Sequence, residues 1–198
     1  MSRTELATLR ERLRGYTEAG SADYTVGTTS FWGDALLDEV LDRHRADVWF
    51  ELLVPQISYI GGGSVAYYDY YSGHANYEET SGGTSIFQVQ DAVGDTQGTS
   101  TWTADYQRGR VTFTSDTDGS AMYVTGRSYN LEGAAADIWR QKAAHYANAY
   151  DVSTDNHTLN RSQLVKHCRE MADYYQALSG SGGQGITTVQ TCRSDEVA

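Results

Sequence analysis

The feature that most limits what this chain can fold into is a change, made twice, in the spacing of its apolar residues. Near the N-terminus they recur every three or four positions, from about Ile57 to Tyr129 they alternate, and from Leu131 the longer spacing returns. A helix presents one face through i, i+3 and i+4, whereas a strand presents one through every second residue. The chain therefore reads as helices, then sheet, then helices again.

Leu6, Leu9, Leu13 and Tyr16 predict a short first helix ending near Gly15, followed by a polar loop from Thr17 to Thr29. Ser30 is placed to cap a second helix, in which Leu37, Leu41, His44, Val48 and Leu52 share a face until Pro55 stops it. His44 on that face reads as a packed histidine with a local hydrogen bond.

Val65 to Tyr71, Ile86 to Val89, Trp102 to Tyr106, Val111 to Thr114 and Met122 to Thr125 read as strands. Glycine- and aspartate-rich turns separate them, and Arg108-Gly109 suits a tight hairpin. With no helical pattern between them, such strands predict an antiparallel sandwich or barrel. Leu131, Ala135, Ile138, Trp139, Ala143, Tyr146 and Tyr150 mark a third helix. Asn160 with Gln163 resembles a capping box for a fourth, whose stripe Leu164, Cys168, Met171, Tyr175 and Leu178 reads as bundle core.

The expected fold class is α+β: a four-helix bundle, residues 1–56 and 130–180, with an antiparallel β-domain, residues 57–129, inserted between helices 2 and 3. Residues 181–198 are expected to form a flexible C-terminal tail. Ser179 to Gly185 is the leash, and Ile186, Thr188 and Val189 lie on a β-prone strip suited to strand addition on a partner.

Composition narrows function more by exclusion than by pointing. A formal net charge of −11 argues against binding nucleic acid by neutralising phosphates. It suits a solvated surface, or the wall of a channel along which DNA must slide without sticking. The N-terminus lacks the apolar run of a signal peptide and no stretch has the length of a membrane span, so a cytoplasmic site of synthesis and no membrane partner are expected. Cys168 and Cys192 have no paired spacing that would indicate a disulfide framework or zinc site.

Motifs of catalysis are missing from the string. The five histidines are scattered, no H-E-x-x-H or G-x-S-x-G occurs, and Asp116-Thr117-Asp118-Gly119 lacks the remaining ligands of a calcium loop and reads as a turn. Gly180 to Gly185 matches the dinucleotide-binding spelling but follows a helix where that motif needs a strand, so it reads as a linker. No catalytic, cofactor-binding or metal-ligating residue is expected. The remaining concentration of chemistry is aromatic: Tyr67, Tyr68, Tyr70 and Tyr71, with Trp102, Tyr106 and Tyr123. Such a cluster serves as packing or protein interface, where Tyr is enriched, or as a stacking platform for sugars.

Several helical segments resemble the head–tail connector adaptor (head completion) proteins of tailed phages. Phe31-Trp32-Gly33-Asp34 running into Leu37-Asp38-Glu39-Val40-Leu41-Asp42 is similar to the opening of their second helix. Tyr129 to Trp139 is similar to their third helix. Asp151 to Asp155 with Asn160 to Gln163 resembles their turn into the fourth, and Met171 to Tyr175 resembles its end. The resemblance spans about half the chain, all in its helices. The β-region containing Asp105 to Phe113 exceeds anything in minimal family members.

It implies a non-enzymatic virion protein at the head–tail interface, forming a homo-oligomeric ring, expected to be dodecameric, on the portal protein. The ring would extend the channel for double-stranded DNA, without specific binding, toward the stopper or tail proteins. On that view Ile186, Thr188 and Val189 would dock on the portal or a neighbouring subunit, and the four tyrosines would form a β-domain interface. A carbohydrate-binding or host-recognition module using the Tyr-rich sheet is the alternative. A small hydrolase with a site assembled only in space is a third.

Overall fold

The chain was examined as a computed structural model, which describes residues 3–20, 23–26, 28–147, 152–154, 157–159 and 161–182. It is a mixed α+β protein with four α-helices and several antiparallel sheets among the described residues.

A 3-10 turn, Thr4–Leu6, leads into α1 (Ala7–Thr17), two residues longer than the sequence predicts. Glu18 ends it in the left-handed region at φ 49°. The expected loop contains a small hairpin, β1 (Tyr24–Val26) with β2 (Thr29–Phe31). Ser30 thus lies in a strand, and Gly33 takes the N-cap of α2 (Asp34–Arg43).

Here the structure departs from the predicted second helix. Helix α2 stops at Arg43, and the chain becomes β3 (Arg45–Leu52), then β4 (Val54–Gly61) with Pro55 inside it. A spacing of four made Val48 and Leu52 look helical, but in β3 the two do not share a face: Val48 is buried and Leu52 exposed. Val48, Trp49 and Phe50 favour the pleated state, and pairing with a long neighbouring strand decides the competition. Proline is tolerated because β4 is an edge strand, where a missing N–H costs no ladder bond. The sheet region therefore begins at Arg45, not Ile57.

β5 (Ser64–Tyr71) follows, then β6 (Thr80–Ser81), β7 (Thr84–Ser85), β8 (Gln88–Asp91), β9 (Trp102–Asp105), β10 (Arg110–Phe113) and β11 (Met122–Tyr129). One sheet has the order β4-β5-β10-β9 and another β3-β11-β8. Val48, Tyr70, Val89, Trp102, Val111, Phe113, Met122 and Val124 from both sheets meet in one core, with Tyr77 and Phe87. Strand β11 shows the alternation most cleanly, burying Met122, Val124, Gly126 and Ser128 in turn.

The helices share a second core: Leu6, Leu9 and Leu13 of the N-terminal segment, Leu37, Val40 and Leu41 of α2, and Leu131, Ala134, Ala135 and Ile138 of α3 (Leu131–Ala147). Tyr129 joins this core from the last residue of β11, so sheet and helices are coupled through one strand. A third cluster joins Trp139 and Ala143 of α3 to Cys168 and Ala172 of α4 (Arg161–Gly182). Between these helices lies a hairpin of β12 (Val152–Thr154) and β13 (His157–Leu159). Helix α4 runs through Ser179 and on to Gly182, where the sequence predicts the start of a flexible leash.

Buried ion pairs fasten the helical part. Arg10 Nη1 donates to Asp38 Oδ1 at 2.8 Å, both side chains nearly buried. Lys142 Nζ meets Asp23 Oδ2 at 2.7 Å, donates to the Thr17 carbonyl at 2.8 Å, and lies 5.1 Å from the centre of the Trp139 ring. These groups hold the segment after α1 onto α3. Such pairs specify an arrangement more than they add net stability.

Candidate interaction surface

Among the described residues, the tyrosine cluster is not the most exposed apolar surface. Alternation along β5 divides the four tyrosines. Tyr70 is buried in the core with Ala66, and its hydroxyl is 2.6 Å from Thr117 Oγ1 and donates to the Ser120 carbonyl at 2.9 Å. Burial raises its pKa above the ordinary tyrosine value. Tyr70 is therefore removed from the expected β-domain interface: a ring with no exposed face cannot stack on a ligand or a partner.

Tyr67, Tyr68 and Tyr71 are half-buried. Tyr67 packs against the sheet core and lies over Gly119. Trp102 is buried and Tyr106 partly so, both in the sheet core, whereas Tyr123 stacks on Phe50 with ring centres 4.1 Å apart. The aromatic residues of the sheet are consequently core and cross-strand packing more than a platform. Ile186, Thr188 and Val189 lie outside the described residues.

The exposed apolar surface instead follows the continuous edge formed by β3 and β4. Trp49 is 84% exposed, Tyr59 82% and Ile60 61%, and Leu52, Val54, Ile57 and Val65 are exposed beside them. Both faces of the outer half of β4 and the start of β5 are open to solvent, so the β4–β5 hairpin stands clear of the core. The pairing Tyr59↔Val65 and Gly61↔Ser64 closes it over Gly62 and Gly63, both at positive φ, as such a turn requires.

Local sequence explains why this element is adhesive. No charged residue occurs from Leu52 through Tyr68, although the chain carries 26 acidic and 15 basic residues. Exposed edges are usually protected by charge, and here protection comes from backbone irregularity. The β4–β5 register shifts between Gln56 and Ser58 and again between Tyr59 and Gly61, and Pro55 lacks an N–H. The edge is thus poor at recruiting another strand, while its side chains remain available. Sequence periodicity missed it because Val48 to Val54 were drawn into a helix and Ile57 to Ile60 show no alternation of exposed and buried residues; the charge-free run was the signal that could have found it.

A smaller apolar strip lies on α4. Cys168, Met171, Ala172 and Tyr175 pack against α3, while Leu164, 40% exposed, and Tyr174, 56% exposed, are open to solvent. The single predicted stripe is thus split: part of it is core and part faces solvent.

Elsewhere polar groups are engaged in structure. His44 Nε2 lies 2.9 Å from Asp137 Oδ2 of α3, a partner distant in sequence where the sequence predicts a local hydrogen bond. Asp116 Oδ1 accepts the backbone N–H groups of Tyr67 and Asp118 at 2.9 and 3.0 Å, the geometry of a side-chain-stabilised turn. Burial pushes the Cys168 thiol pKa up, which suppresses the reactive thiolate. Among the described residues, no three His, Cys, Asp or Glu side chains converge as metal ligands, and no helix is long and apolar enough to cross a membrane.

Compared with family models, curated proteins and solved structures, the chain matches none.

Proposed function

We propose that this chain is a structural subunit of a tailed-phage virion, a head–tail connector adaptor that works by assembly. The observation that carries the reading is the exposed, charge-free apolar hairpin. Apolar surface of this kind, with prominent Trp and Tyr side chains, is what a protein–protein contact uses. On this reading the four helices form an adaptor-type bundle, and the antiparallel strands are a sandwich-like domain inserted between α2 and α3. The hairpin is its outward contact element.

The residues that carry the resemblance are compatible with that architecture. Trp32 is fully buried, Gly33 is the N-cap and Asp34 opens α2, so Trp32-Gly33-Asp34 acts as a turn into a leucine-rich helix. The small residues Ala134, Ala135 and Ala136 are buried in α3, which brings neighbouring helices close. The subunit forms a dodecameric ring on the portal, at the head–tail interface of a virion assembled in the host cytoplasm. It extends the DNA channel toward the stopper or tail, and its acidity keeps DNA sliding without specific binding. Ile186, Thr188 and Val189 supply the contact with the portal or a neighbour. Neither a metal nor a cofactor takes part.

Cryo-electron microscopy of the chain mixed with the portal protein of the same genome tests this directly. A ring seated on the portal is expected. Particles of bare portal beside free subunits would sink the reading.

A further inference from the structure

Subunits in a ring must touch through two different surfaces, and this molecule exposes two apolar strips on different elements. We propose that copies of this chain meet head to tail, with the β4–β5 hairpin of one copy seated on the outer face of α4 of the next. The inference rests on the ring reading and names its contact.

Charge is what selects a second copy as the occupant. Two molecules of net charge −11 repel, so they approach at least cost where neither presents a charge. The hairpin meets that condition from Leu52 through Tyr68, and α4 meets it from Tyr174 to its end at Gly182. Further up the α4 strip, Lys166 and Glu170 form an ion pair at 3.7 Å, leaving little net field there. Many acidic side chains lie elsewhere, as in the turns holding Asp91, Asp95, Asp116 and Asp118, while Asp173 and Arg140, which donates to Gln176, border the α4 strip with opposite charges. The hairpin and the segment of α4 from Tyr174 onward are thus matched in carrying no charged residue of their own.

Shape separates this arrangement from the obvious rival, a two-fold dimer formed by pairing one β4 edge with another. That dimer needs a regular ladder of N–H and C=O groups along β4. The two register shifts and Pro55 interrupt it. The hairpin is a projecting knob with Ile57, Tyr59 and Ile60 as its apolar side chains, and knobs do not complement each other. A helix flank bearing Leu164 and Tyr174 offers the flatter counterpart. Tyr59 and Tyr174 bring the aromatic anchors on which interface energy concentrates.

Native mass spectrometry on the full-length chain tests the contact with three proteins. The unsubstituted chain is expected to assemble beyond a dimer. A hairpin variant, Tyr59→Lys with Ile60→Lys, and a helix variant, Tyr174→Lys, are each expected to run as monomers, with association weakened at least tenfold. Both variants alter exposed side chains, so their circular dichroism spectra should match that of the parent. The decisive sample is their equimolar mixture. Each variant retains the strip the other has lost, so one contact can form and none can follow it, giving a one-to-one heterodimer and nothing larger. A mixture that stays monomeric, a variant that assembles like the parent, or a parent that is monomeric or stops at a dimer overturns the proposal. Assembly that behaves as described but ignores the portal would leave this contact standing and remove the adaptor role.

Discussion

Glu78 is a buried carboxylate at the seam between sheet and helices. Its Oε2 accepts the Tyr129 hydroxyl at 2.7 Å, and its backbone N–H donates to the Arg127 carbonyl at 2.9 Å. Arg127 Nη1 lies 3.8 Å from the same oxygen. Burial first, then the carboxylate beside it, raises the Tyr129 pKa, so this hydroxyl stays protonated and donates throughout the physiological range. Glu78→Ala leaves the hydroxyl buried without an acceptor and should cost about 2 kcal/mol, whereas Glu78→Gln keeps an acceptor and should cost less. Urea denaturation of the two variants checks the order. Asp34 offers a second test at this scale. Arg14 Nη2 donates to its Oδ1 at 2.8 Å and holds the carboxyl below its ordinary pKa. A carboxyl lowered by folding stabilises the folded state above its unfolded pKa, and that contribution fades as pH falls through the folded value. Asp34→Asn should therefore lower the melting temperature at pH 7, by a small amount because the side chain is half exposed. The gap should narrow as the pH falls through the lowered pKa of the parent carboxyl, which then becomes protonated itself. A gap independent of pH would show that the Arg14 contact is not its source.

At the scale of elements, the β9–β10 hairpin has the least room for change. Gly109 has φ +65°, and a Cβ there would sit 2.0 Å from the His74 carbonyl oxygen. Gly119 has a similar φ, +70°, but its Cβ would meet only the Tyr67 ring at 3.4 Å. Gly119→Ala should therefore cost about 1–2 kcal/mol of backbone strain, while Gly109→Ala adds a clash with main chain and should cost clearly more. Thermal unfolding of both variants distinguishes the two costs. The sequence announced this turn through Arg108-Gly109, because turn chemistry is local. It also announced α1, α3 and the alternation of β11, where one element buries one face. It did not announce β3. Phe50 adopts φ 48° and the β3–β11 register shifts between Val124 and Gly126, so Val48 points into the core while Leu52, four residues on, points out. A face that flips within one strand cannot be read from period. The candidate surface was hidden for the same reason. Tyr67 to Tyr71 attracted attention by composition, yet β5 alternation places Tyr70 inside; of the exposed residues, Trp49, Leu52 and Val54 lie in the segment mistaken for a helix, and Ile57, Tyr59, Ile60 and Val65 in the region read as sheet.

At the scale of the whole molecule, the three cores are built, among the described residues, from residues that precede Ser179. On the reading of the tail as a leashed contact, deleting Gly185 to Ala198 should leave the melting temperature within a few degrees of the parent while weakening assembly on the portal; a truncated chain that unfolds would place the tail in the core. Salt gives the sharper test, because two forces of opposite sign meet in assembly. Copies of net charge −11 repel over distances that ions screen, with a Debye length of about 30 Å at 0.01 M salt and about 10 Å at 0.1 M. The contact proposed between hairpin and helix contains no ion pair that the same ions could weaken, and burial of apolar surface is not reduced by screening. Raising sodium chloride from about 0.02 to 0.5 M should therefore strengthen self-association, which sedimentation velocity would register as a shift toward larger species at fixed protein concentration. An interface built from complementary charges on the acidic turns and the arginines would behave in the reverse way, dissociating as salt rises. The direction of the shift thus shows whether assembly is driven by the uncharged hairpin despite the molecule's overall charge, or by the charge itself.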